Sequence, residues 1–120
     1  MAAGTARFVD HLLDQLEPLG RVKARRMFGG HGLYCEGQFF AIVDDDIVYF
    51  KTDAQTQAEY EARDSEPFTV EMRGKPVSMS YWRVPAEVLE DGELLIQFAG
   101  RACAVARTAP KKRAKNPLRR

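Results

Sequence analysis

A chain of 120 residues that is 45% apolar and 29% charged has the balance of one soluble globular domain, long enough to bury a single core without covalent staples. Its two cysteines, Cys35 and Cys103, show no C-x-x-C spacing and no histidine cluster, which argues against a disulfide framework or zinc site and makes a reducing cytoplasm the expected setting. The net charge of +1 hides an asymmetry: seven basic and no acidic residues lie from Arg107 onward, which leaves 11 basic against 17 acidic ones in residues 1–106, a body of −6.

The N-terminal stretch predicts an amphipathic helix. Phe8, Val9, Leu12, Leu13 and Leu16 recur at helical spacing, Thr5 is the expected N-cap, and Pro18 with Gly20 ends the pattern. Asp10, Asp14 and Glu17 interrupt any signal-peptide core, and no run approaches the roughly 18 apolar residues of a membrane span. Val22 to Phe28 is a predicted edge strand, because its alternation mixes charged and apolar residues on both sides.

Gly29, Gly30 and Gly32 then predict one tight turn between Met27-Phe28 and the run that begins at Leu33. Leu33 to Glu36 pairs with Phe39 to Val43 across a turn at Gly37. Asp44-Asp45-Asp46 turns into Ile47 to Lys51, with Ile47, Tyr49 and Lys51 on one side and Val48 and Phe50 on the other.

Thr52 or Asp53 caps a short surface helix to about Arg63, whose one large apolar residue is Tyr60. Phe68 to Met72 and Val77 to Val84 form two strands around Arg73-Gly74-Lys75-Pro76. Pro85 opens one long last helix with a broad apolar stripe from Val88 to Ala106, weakened by Gly92 and Gly100. The predicted order is helix, four strands, short helix, two strands, long helix. This is an α+β fold in which helices cover one face of an antiparallel meander, over residues 1–108, followed by a basic, disordered tail at 109–120.

No catalytic constellation stands out, and no cofactor or metal is expected. The glycine cluster lacks the Gly-Lys-Ser/Thr ending of a phosphate loop, and Asp44-Asp45-Asp46 lacks the alternating spacing of a calcium loop. Ser78 and Ser80 have no base beside them, and Cys35 and Cys103 read as packing residues. The alternative is a small-ligand binder or enzyme built on His31 in the glycine turn, which requires that ring to face a pocket beside a carboxylate or serine.

The basic segments have more to say. Arg21, Lys23, Arg25 and Arg26, with Lys111, Lys112, Arg113, Lys115, Arg119 and Arg120 of the tail, form the candidate contact with a nucleic-acid backbone. Phe39, Phe40, Tyr49, Phe50, Tyr81 and Trp82 are more aromatic surface than one thin sheet needs, so Tyr49, Tyr81 and Trp82 are the candidate partner surface.

Arg26-Met27-Phe28-Gly29-Gly30-His31-Gly32-Leu33-Tyr34, then Gly37, Phe40 and Ala41, Pro67-Phe68, Ser78-Met79-Ser80-Tyr81-Trp82, Val84-Pro85 and an acidic helix start at Glu87 to Asp91, resemble the N-terminal domain of the TfoX/Sxy regulators of bacterial competence. The resemblance runs from about residue 8 to residue 106 and rests on turn glycines, aromatics and prolines. It implies a non-enzymatic α+β regulatory domain that assists transcription through protein contacts. In the better-known members this domain accompanies a helical C-terminal domain and helps a cyclic-AMP receptor protein activate competence promoters. Here 14 residues follow residue 106, so that second domain is expected to be missing. A homodimer through the exposed sheet edge is a further expectation.

Overall fold

Three two-residue turns with left-handed backbone, at Glu36-Gly37, Asp45-Asp46 and Arg73-Gly74, set the registers of three hairpins. They belong to a computed structural model that describes residues 2–27 and 29–108, with backbone alone for 2–6. Phe28 and the expected tail at 109–120 lie outside the described residues. The strands are β1 (Val22–Met27), β2 (Gly30–Cys35), β3 (Gln38–Asp44), β4 (Ile47–Lys51), β5 (Pro67–Met72) and β6 (Lys75–Arg83). They form one antiparallel sheet in the order β1-β2-β3-β4-β6-β5, so the meander and the edge position of β1 are as expected. β6 meets β4 only through Tyr81 to Arg83, and most of the β5–β6 hairpin continues as a two-stranded ribbon with Met72 and Met79 exposed.

The helices are α1 (Ala2–Gln15), α2 (Ala54–Ala62), α3 (Ala86–Leu89) and α4 (Gly92–Thr108), with a 3₁₀ turn at Glu17–Leu19 after α1. The α+β architecture holds, with three local corrections. Helix α1 begins at Ala2, which puts Thr5 inside it and not at its N-cap. The single last helix is two, because Asp91 accepts hydrogen bonds from the backbone N–H of Glu93 and Leu94 at 3.1 and 3.2 Å and so starts α4 afresh. The glycine cluster is not one turn. Gly29 alone takes the left-handed backbone (φ +82°), and Gly30 and Gly32 lie in β2.

Those two strand glycines answer to close approach. A Cβ on Gly30 would sit 2.3 Å from the Val43 carbonyl oxygen, and one on Gly32 would sit 2.7 Å from Phe39 Cε1 and 3.0 Å from Met27 Sδ.

All four helices bury their apolar sides on one face of the sheet. Val9 and Leu12 of α1, Leu16 just after it, and Leu95, Phe98, Ala99 and Ala102 of α4 share one cluster with Leu33, Val43, Val48 and Phe50. Tyr60 of α2 and Val88 of α3 join it. A register shift between β2 and β3 pairs Leu33 with Ala41 and Tyr34 with Phe39, skipping Phe40, so that both Phe40 and Ala41 turn into the core. The other face carries no helix among the described residues.

Candidate interaction surface

On the uncovered face, alternation brings Lys23, Arg25 and Met27 of β1 beside Gly32 and Tyr34 of β2, Phe39 and Ile42 of β3, Tyr49 and Lys51 of β4 and Tyr81 of β6. Their rings form a row across the strands. The Arg25 guanidinium lies 5.8 Å from the Tyr34 centroid, Tyr34 is 5.2 Å from Phe39, and Phe39 is 5.4 Å from Tyr81. Lys51 Nζ closes the row 5.0 Å from the Tyr81 ring. Gly32, lacking a side chain, leaves the space that Phe39 and Met27 occupy. A second pair, Tyr49 and Phe68, meets at a tilt of 57° with centroids 4.7 Å apart.

Tyr81 is shielded by this row and only 6% exposed, and burial raises its phenol above the ordinary range. Tyr49 is half-buried; its phenol is also raised, first by burial and then by the Asp44 carboxylate. Trp82 faces the opposite way, 8% exposed in the helix-covered core, so it is removed from the expected partner surface. Phe40 and Phe50 are core residues as well. Tyr34 and Lys51 were absent from the sequence-derived site, although Lys51 shares a parity with Tyr49 that would have placed it there.

Beside the row, Arg21, Lys23, Arg25, Tyr34 and Glu36 line an open depression of about 620 Å³ along β1. Salt bridges join Arg63 to Glu87, Arg83 to Glu66 and Arg101 to Glu59. Among the described residues none joins Arg21, Lys23, Arg25 or Arg26 to a carboxylate. Lys23, Arg25 and Arg26 are exposed, with Arg26 on the helix side of the strand. The structure therefore groups the four expected basic residues at one edge, while the six of the tail lie outside the described residues. Such an edge can attract anions and offer a flat ring beside them.

His31 pairs with Arg26 and Val43 in the ladders, which sets it on the helix-covered side at the margin of the core. It is half-buried, its Nδ1 has no hydrogen-bond partner, and it lines none of the three depressions described on the surface. Among the described residues no carboxylate or serine is hydrogen-bonded to its Nδ1.

Cys35 of β2 and Cys103 of α4, far apart in sequence, are both buried free thiols that meet in the core. Burial, then the neighbouring Cys35, pushes the Cys103 thiol up to about 12. Among the described residues no group of three or more metal-binding side chains occurs, and no helix is long and apolar enough to cross a membrane.

No curated protein matches the chain. The family described as the TfoX N-terminal domain matches it over residues 14–106, from the end of α1 almost to the end of α4, so the chain belongs to the TfoX N-terminal domain family.

Proposed function

We propose that this protein is a non-enzymatic regulatory module of the competence-regulator type, working by protein contact from a basic sheet edge and holding nucleic-acid backbone weakly through its basic residues. A transcription regulator such as a cyclic-AMP receptor protein is the partner class that the family suggests. The observation that carries the reading is the set of four cations at residues 21–26, none salt-bridged among the described residues, at the edge of a sheet whose other face shows an aromatic row and no helix among those residues. Arg63, Arg83 and Arg101 are matched with carboxylates, and Glu36 beside the edge accepts from the Arg21 backbone N–H at 3.5 Å; we assign the four edge cations to an external anion.

The nucleic-acid half is tested by titrating duplex DNA at low and high salt. Three proteins are compared: the full chain, a chain without residues 109–120, and the triple variant Arg21→Ala, Lys23→Ala, Arg25→Ala. Each cation that touches a phosphate contributes about one unit to the slope of log affinity against log salt, so both altered proteins should show weaker binding and shallower slopes. Identical slopes for all three would remove DNA from the reading.

A further inference from the structure

We propose that the free side of β1 is a docking edge for an acidic, extended segment of a partner protein, which adds to the sheet as a seventh strand. This deepens the protein-contact reading above and rests on it.

The backbone geometry identifies the docking groups. The Glu36 N–H donates to the Arg21 carbonyl at 3.0 Å and the Arg21 N–H to a Glu36 carboxylate oxygen at 3.5 Å, so these two residues face each other one step beyond the ladder and fix which β1 backbone groups point at β2. The register continues without a shift through Lys23 opposite Tyr34, Arg25 opposite Gly32 and Met27 opposite Gly30. Those residues point their amides at β2. The alternate residues, Val22, Ala24 and Arg26, therefore aim their N–H and C=O groups away from the sheet, and no strand pairs with them among the described residues. Three donors and three acceptors in an extended row form a template for another strand.

The side chains decide which strand fits. Lys23 and Arg25 stand on the uncovered face and Arg26 on the other, so cations flank the template on both sides. A second copy of this chain pairing β1 to β1 would set these charges against their equals, which disfavours a symmetric dimer. The tail, with no acidic residue, is a poor occupant for the same reason. The opposite edge is blunted by Pro67 and a register shift between Pro67 and Thr69. An incoming strand that alternates Glu or Asp with β-branched residues would meet Lys23 and Arg25 with one face, while its backbone pairs with Val22, Ala24 and Arg26. The basic edge thus acts as a filter, repelling copies of itself and admitting an acidic strand.

The test uses the full chain and a fluorescent peptide of about seven residues alternating Glu with Val or Thr, long enough to span a strand of this length. Binding is read by anisotropy, and hydrogen exchange is followed at single backbone amides. The expected result is saturable binding with slowed exchange at Val22, Ala24 and Arg26, and loss of at least about tenfold in affinity in the variant Lys23→Glu, Arg25→Glu, Arg26→Glu. That variant should instead take the corresponding Lys peptide. Ala24→Pro, which removes one outward N–H without touching the β2 ladder, should also weaken binding.

Absence of binding, or binding without protection of those three amides, would overturn the proposal. So would polyglutamate binding as well as the alternating peptide, or a concentration-dependent dimer that buries the same amides. DNA binding that persists while the peptide fails would overturn the docking edge and leave the nucleic-acid half of the proposed function standing.

Discussion

Gly30 and Gly92 carry the same side chain and opposite consequences. At Gly30 an added methyl group meets a backbone oxygen of β3 at 2.3 Å, and neither strand can yield without moving the ladder. Gly30→Ala should therefore destabilise the fold by about 1–3 kcal/mol, the usual cost of overpacking. Gly92 opens α4 with nothing within 4 Å and no left-handed backbone, so Gly92→Ala should stabilise by about 0.5–1 kcal/mol by restricting the unfolded chain. Urea denaturation of the two variants reads both signs. The buried thiol pair supplies another test at this scale. With the Cys103 thiol pushed up to about 12, almost none is thiolate at pH 8, and alkylation by iodoacetamide should proceed only as fast as the core opens. Rapid labelling of both cysteines in urea and slow labelling without it is the expected pattern, read by mass spectrometry.

Among the elements, α2 depends most visibly on one residue. The Asp53 carboxylate accepts a hydrogen bond from the Thr56 N–H at 2.9 Å while the Thr56 hydroxyl accepts from the Asp53 N–H at 3.0 Å, a reciprocal capping box. The Thr56 N–H holds the carboxyl below its ordinary range. A carboxylate with a lowered folded-state pKa contributes stability above its unfolded value and loses it as pH falls through the folded one. Asp53→Ala should thus cost about 1 kcal/mol at pH 7, and the gap to the unmodified protein should close on acidification below about pH 4. Urea midpoints at both pH values check it. The same capping chemistry at Asp91 divides the last helix, and Asp91-Gly92-Glu93 was a legible start signal that a continuous apolar stripe concealed.

For the whole molecule, the described helices gather on one face of the sheet and the aromatic row lies on the other, so the buried core is concentrated on one side. Leu95 is fully buried where α4 meets the sheet. Leu95→Ala should cost about 2–5 kcal/mol in a single cooperative transition. Met72 on the projecting ribbon is 56% exposed, and Met72→Ala should stay within about 0.5 kcal/mol. Thermal denaturation that separates these two by less than 1 kcal/mol would contradict the one-sided core. The charge asymmetry belongs to this scale too. Residues 1–106 carry 11 basic against 17 acidic side chains, and four of those 11 cations fall within residues 21–26 at the β1 edge.

The sequence by itself determined the hairpin turns, the strand alternation and the α+β class. Each follows from interactions within a few residues: a left-handed turn, a parity along one strand, a run of apolar side chains at helical spacing. Its basic cluster at residues 21–26 was equally legible, because those cations are neighbours in the chain. Only the tertiary structure decided that β6 enters between β4 and β5, that Phe40 turns inward at a skipped position, that Trp82 joins the core while Tyr81 stays on the open face, and that Cys35 meets Cys103. Those outcomes depend on which distant strands share hydrogen bonds and which face the helices cover, and a register between remote segments leaves no periodicity in either one alone.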